Sequence, residues 1–232
     1  MAGFFDVYLR TTDADGAREF YEAVLGHERA VIYPLHENAI ARGAKPHWLG
    51  FVDAAPLGGV DAAADAFVAR GAQLLGPKWV NPAGLTAAVL RDPGGAIVAV
   101  AERTADATSS GLAIAWHALH TPNEARAIAD YGDLFGWSFG ASIEVVGVGA
   151  YHPLAFSDGD AIVGSVSGIA DRPSVHPHWL FHVHVPSLDA ALEAVVARGG
   201  THLDVVTLAG GARIAVCDDP QGAAFGLWQS SS

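Results

Sequence analysis

Apolar and polar positions switch between two periods along the chain. Residues 4–10 form a short apolar run of strand type, and from Asp13 the apolar residues recur at helical spacing until Gly26 stops them. Asp13 offers an N-cap oxygen, and Gly26 offers the freedom a helix stop needs. A second strand is predicted over 48–52, then a helix that opens near Asp61 and ends at Arg70-Gly71. Asp92-Pro93-Gly94-Gly95 has turn chemistry between two apolar strands, which predicts a hairpin.

The whole sequence of signals then repeats. YLRTTDADGAREFYEAVLG at 8–26 matches ALHTPNEARAIADYGDLFG at 118–136, pairing Asp13 with Asn123, Tyr21 with Tyr131 and Gly26 with Gly136. PHWLGFV at 46–52 matches PHWLFHV at 177–183, VARGA at 68–72 matches VARGG at 196–200, and RDPGGAIVAV at 91–100 matches DDPQGAAFGL at 218–227. Four matches in one order mark a duplicated unit. The small, polar stretch ADATSSG at 105–111 reads as a linker, giving a first module over 1–104 and a second over 112–232. Each is α+β, two βαβ-type units ending in hairpins. Between landmarks the copies differ: 136–177 has room for two or three strands, whereas 26–46 is about half as long and contains the helical LHENAIAR. The first copy is expected to lack a hairpin, with a helix in its place.

Composition narrows the partners. A chain of 232 residues with 51% hydrophobic content has ample material for a core, and a formal charge of −12 disfavours nucleic acid and anionic membranes. The first 104 residues hold nine Lys/Arg against twelve Asp/Glu and the remainder four against thirteen, so the second half is the acidic one. A single cysteine, Cys217, excludes an intrachain disulfide, and it matches Leu90 of the other copy, which makes it a core residue. The N-terminus MAGFFDVYLR lacks the pattern of a signal peptide, and Gly, Pro, Asp or Arg interrupts every apolar run short of a bilayer span, so a cytoplasmic protein is expected.

The tracts EFYEAVLGHE and ADYGDLFGW, the PHWL strands and the DPGGA and DPQGA turns resemble the vicinal oxygen chelate superfamily of glyoxalases, bleomycin-resistance proteins and extradiol dioxygenases. The resemblance covers nearly the whole chain and implies tandem βαβββ modules, with curved mixed sheets and outer helices enclosing a cup. In metal-dependent members it also implies a divalent ion held by His and Glu on the strands. Here the corresponding places hold Asp6 and Trp116, Leu49 and Leu180, and Ala99 and Gly226. The usual metal site is therefore expected to be missing, and the resemblance is nearer the double-module, ligand-binding branch.

Eight of the eleven histidines follow residue 110. Strand alternation puts His182 and His184 on one face with Leu180, Trp116 with His120 on the first strand, and Gly226 with Trp228 on the last. Trp116, His120, His182, His184 and Trp228 are thus candidate ligand-binding residues, with an ordinary structural role for the histidines as the alternative. If metal is bound at all, His120, His182 and His184 are the candidates to hold it. His117, His176 and His178 are read as structural, and Trp48 and Trp179 as packing residues. In the first copy, Tyr8 and Arg10 share a face with Asp6, Phe51 and Asp53. Arg10 is suited to a carboxylate, with a salt bridge to Asp6 or Asp53 as the alternative.

Two functions follow. The first is a binder of a small organic molecule that uses no metal cofactor. The alternative is a lyase, isomerase or dioxygenase whose divalent metal comes from the histidines of the second module. A third reading, a purely structural module, has little in the composition to support it, and a homodimer is compatible with either of the first two.

Overall fold

The computed structural model describes residues 2–26, 30–80, 85–102, 111–146, 149–172 and 175–231. Most of the expected linker, 105–110, lies outside the described residues. The first repeat runs β1 (Phe4–Thr11), α1 (Ala14–Leu25), β2 (Val31–Pro34), α2 (Glu37–Ala41), β3 (His47–Asp53), α3 (Val60–Ala69), β4 (Gln73–Leu74), β5 (Trp79–Val80), β6 (Thr86–Arg91) and β7 (Ile97–Ala101). The second runs β8 (Ile114–His120), α4 (Glu124–Phe135), β9 (Ser138–Phe139), β10 (Ile143–Val145), β11 (Gly149–Ala155), β12 (Gly164–Ser167), β13 (His178–His184), α5 (Leu188–Ala197), β14 (Thr201–His202), β15 (Val206–Thr207), β16 (Arg213–Asp218) and β17 (Ala224–Gln229). These are curved, mixed sheets with outer helices, the α+β architecture expected.

The predicted punctuation is used. The Asp13 and Asn123 side chains accept from the amides of Gly16 and Arg126, capping α1 and α4, and Gly26 and Gly136 end those helices at positive φ. Among the described residues, the shortened stretch of the first copy contains one strand and the five-residue helix α2, where the second copy places the four strands β9 to β12.

The chain compacts into two units that cut across the repeats. The central unit gathers Met1–Asp6, Gly50–Ser109 and His117–Trp179, and the terminal unit gathers Val7–Leu49, Ser110–Trp116 and Leu180–Ser232. In the central unit the strands order β3-β7-β6-β4 and β10-β11-β12-β8, with α3 packed on α4. In the terminal unit they order β2-β1 and β13-β17-β16-β14, with α1 packed on α5.

The matched residues of the two repeats explain this exchange. In the terminal unit the Trp48 indole N–H donates to the Tyr21 hydroxyl at 3.1 Å, and that hydroxyl donates to Asp219 at 3.1 Å. In the central unit Trp179 donates to Tyr131 at 3.0 Å and Tyr131 to Asp92 at 3.0 Å. Each tyrosine therefore reaches the DPxG turn of the other repeat. The turn aspartate in turn accepts from backbone amides, those of Ala96 for Asp92 and of Gln221 and Ala223 for Asp219. All six side chains are buried, so each relay satisfies polar groups that would otherwise destabilise the core. Trp48 and Trp179 are packing residues, as their place at the strand entrance suggested.

Candidate functional site

In the terminal unit β13 runs parallel to β17, placing His182 beside Gly226 and His184 beside Trp228. His182 is buried, and its ring lies so close over Gly226 that a Cβ there would stand 2.2 Å from His182 Cδ2. Only glycine fits under that imidazole. His184 is exposed at the end of the strand. Trp116 and Trp228 are half-buried and stacked, with ring centroids 5.7 Å apart and planes 15° from parallel. The strand alternation thus brings together Trp116, Trp228, His182 and His184 within one unit.

The same unit carries Tyr8 and Arg10 on β1. The parallel register sets Arg10 beside Tyr33 of β2, and the guanidinium carbon lies 5.8 Å from the Tyr33 ring centroid. Tyr8 is buried and meets Tyr33 edge-on at 5.6 Å. Burial lowers the Arg10 pKa, an effect partly offset by Tyr33. His47, the first residue of β3, donates from Nδ1 to the Lys45 carbonyl at 2.8 Å. Its pKa is lowered, first by burial; the bond to Lys45 opposes this and the Arg10 charge adds to it.

His120 belongs to the central unit, where its Nδ1 lies 2.9 Å from the Ser167 hydroxyl of the paired strand β12. Its ring is 5.1 Å from that of His178. His178 donates from Nδ1 to the His176 carbonyl at 2.8 Å and stacks on His176 at 4.5 Å, and burial lowers its pKa to about 4. His117 is buried, donates to the Val163 carbonyl and stacks on Phe4 with planes 4° apart, with its pKa also held at about 4 by burial. That is the structural role expected of it. Burial pushes the Cys217 thiol up to about 12, so it is a protonated core group and no nucleophile.

Sequence reasoning passed over His47, Tyr33 and Ser167, and read His178 as structural. The signal was available: His47 and His178 are the same position of the repeated PHW tract, each fixed by the carbonyl two residues earlier. Tyr33 and Ser167 lay in the stretches where the two copies do not align.

Metal chemistry can be tested on the donor set. At the six places where the superfamily holds its ion, Leu49, Leu180 and Ala99 are buried apolar side chains, Gly226 has none, and Trp116 has no donor for a cation. Asp6 supplies one carboxylate, short of the three or four donors a stable site requires. Among the described residues no three His, Cys, Asp or Glu side chains gather closely enough to hold an ion, and His120, His182 and His184 form no such group. The residues present do not fit the metal.

Solved structures with the same fold span this chain almost end to end. The Mn(II)-bound glyoxalase from Novosphingobium aromaticivorans superposes with a TM-score of 0.64 at 14% identity, covering 100% of this chain and 84% of its own. The 2,3-dioxygenase LapB from Pseudomonas sp. KL28 gives 0.63 at 13% identity over 100% and 92%. The native homoprotocatechuate 2,3-dioxygenase from Arthrobacter globiformis gives 0.65 at 14% over 98% and 79%. The fold is the one these glyoxalase and 2,3-dioxygenase structures share. Curated relatives are consistent with it. CFP32 of Mycobacterium bovis, named as a candidate glyoxylase, is 31% identical over 122 residues, which is 50% of this chain and 45% of that protein. DauV of Streptomyces sp. strain C5, named an anthracycline biosynthesis protein, is 30% identical over 131 residues, 50% of this chain and 46% of its own. The chain thus spans about half the length of the curated relatives it matches. No protein-family model matches it. The chain thus shares the scaffold of these structures, while the places matched to the metal ligands of the family it resembles hold Asp6, Trp116, Leu49, Leu180, Ala99 and Gly226. No helix among the described residues is long and apolar enough to cross a membrane.

Proposed function

We propose that this chain binds a small, planar organic molecule on the strand face carrying Trp116 and Trp228, without the divalent metal of its metal-dependent relatives. The observation that carries this reading is the half-buried stack of these two indoles on a scaffold whose matched metal positions hold Leu, Ala, Gly, Trp and a single Asp. At a centroid distance of 5.7 Å the indoles touch each other. A ligand between them would need planes about 7 Å apart, twice an ordinary carbon contact, so it extends the stack from an outer face. His184, exposed beside Trp228, supplies a polar anchor. The anthracycline biosynthesis relatives, DauV and DnrV, support a planar aromatic class of ligand.

The test is quenching of tryptophan fluorescence by a water-soluble anthraquinone in the presence of a chelator. Saturable quenching that is weakened about tenfold or more in Trp228→Ala, the scale expected for one lost stacking partner, supports the reading. Binding that requires added metal would favour the lyase, isomerase or dioxygenase alternative that the fold neighbours also accommodate.

A further inference from the structure

The alignment that pairs Asp13 with Asn123 also pairs Gly16 with Arg126 and Phe20 with Asp130, so the second repeat alone carries a charged pair at these places of its first helix. Asp130 is buried and both its oxygens are held, Oδ2 by Arg126 Nε at 2.6 Å and Oδ1 by Arg70 at 3.4 Å. Arg70 also reaches Asp133 at 3.1 Å, and Arg126 donates to the Arg70 carbonyl. A cleft of about 130 Å³ opens beside this cluster, between α4 and the DPGG turn. Asp92 lines it, with the rings of Phe67 and Tyr131, which meet at 80° with centroids 5.6 Å apart. All of these residues belong to the central unit.

We propose that this cleft binds a quaternary ammonium ion. The two guanidiniums are matched by Asp130 and Asp133, which leaves Asp92 as the surplus charge, buried and hydrogen-bonded to dipoles instead of a cation. Its negative field reaches the cleft with little water to screen it, and the chain's formal net charge of −12 adds to the attraction. The kind of cation follows from the acceptors. The Asp92 oxygens already accept from the Ala96 amide and the Tyr131 hydroxyl, and those of Asp130 from the two arginines. An ion with N–H groups needs open acceptors to replace its water, and the oxygens here are engaged. An ion whose nitrogen carries only carbon needs negative charge and aromatic surface, which Asp92, Phe67 and Tyr131 supply. Size agrees, since a cavity of roughly 150 Å³ takes one benzene and a tetramethylammonium ion is about as large. In the terminal unit Phe20 is buried in place of Asp130 and Gly16 has no side chain, so the site belongs to the central unit alone.

This site does not rest on the stacked indoles, neither of which lines the cleft. The experiment is a titration of the intact protein with tetramethylammonium chloride at constant ionic strength, followed by the NMR signals of the Gly94 amide and the Asn123 side-chain amide, both at the cleft. The comparison compounds are tert-butanol, an uncharged body of similar shape, and methylammonium, an ion with N–H groups. Tetramethylammonium should shift both signals saturably and bind about tenfold or more tightly than either. Asp92→Asn, which removes the surplus charge, should weaken it about tenfold or more. That variant also disturbs the Tyr131 relay, so Arg126→Gln, at a half-exposed residue, is the second test: loss of a positive charge at the cleft should tighten tetramethylammonium about twofold or more. Unmoved signals, tert-butanol binding as tightly, an undiminished affinity in folded Asp92→Asn, or an affinity that fails to rise in Arg126→Gln would overturn the site. Methylammonium binding as tightly would overturn the quaternary assignment.

Discussion

The central and terminal units share one hydrogen-bond relay and fill the space around it in opposite ways. In the terminal unit, the residue before the relay tyrosine is Phe20, buried against Tyr21 and Phe225. A Cβ on Gly200 would stand 3.0 Å from the Phe20 ring, so the small residue makes room for the large one. In the central unit the matching residues are Asp130 and Ala72. Asp130 is buried and held by Arg126 at 2.6 Å and Arg70 at 3.4 Å, beside a cleft of about 130 Å³ lined by Phe67, Asp92, Arg126 and Tyr131. The same fold position is thus served by packing in one unit and by an ion cluster in the other. Dispersion and burial reward a tight fill, while a charged cluster needs its partners and tolerates open space.

This contrast can be broken most sharply by truncation. Phe20→Ala should destabilise the protein by about 3–5 kcal/mol, the range for an aromatic lost from a core, and by the same amount in low and high salt. Asp130→Asn should cost about 1–2 kcal/mol, because the partner guanidiniums keep side-chain exposures of 34% and 47% and are partly screened, and its cost should shrink as salt is added. Denaturant unfolding of both variants at two ionic strengths checks this. A salt-dependent Phe20→Ala or a salt-independent Asp130→Asn would contradict the assignment.

The pH dependence is the next largest effect. His117, buried and neutral in the fold with a pKa of about 4, binds its proton in the unfolded chain near 6.5. Between those values the unfolded state holds more protons, so stability falls as the pH drops from 6.5 towards 4, by about 3 kcal/mol for this residue at 1.36 kcal/mol per unit. Asp92 and Asp219, raised above 3.8 by burial, act with the opposite sign: their contribution is full below 3.8 and is lost as the pH rises through their folded values. His117→Gln should therefore flatten the acid limb of stability against pH, and a limb as steep as that of the natural protein would place the titration elsewhere.

The shared relay makes a smaller and symmetric prediction. Tyr21→Phe and Tyr131→Phe each strand a buried indole N–H, from Trp48 or Trp179, and each should cost about 1–3 kcal/mol. The two costs should fall in the same range, because donor, hydroxyl and carboxylate match in the two relays, and a large asymmetry would show that the relays are equivalent in geometry alone.

Much of this was legible in the residues, and the reason is local. Asp13, Asn123, Gly26 and Gly136 act at the helix ends they flank, so capping chemistry reveals them without tertiary knowledge. Alternation likewise put Trp116 and Trp228 on facing surfaces, and the two indoles stack, because the side-chain period of a strand is intrinsic. What escaped was long-range. Tyr21 reaching Asp219 and Tyr131 reaching Asp92 is a choice between repeats with the same motifs, and nothing within either motif says which partner it takes. His120 was grouped with His182 and His184 by face alone, whereas its neighbours prove to be Ser167 and His178. Those depend on strand order, which alternation does not carry.

The proposed binding of a small organic molecule does not use a divalent metal. Metal-free binding is tested most directly by elemental analysis for zinc, iron, manganese and nickel in protein purified without a histidine tag. Leu49, Leu180, Ala99, Gly226 and Trp116 predict metal far below one ion per chain, unchanged in a His182→Ala, His184→Ala double variant. Stoichiometric metal in the natural protein, lost in that variant, would contradict the claim and make the histidines of the second repeat its ligands.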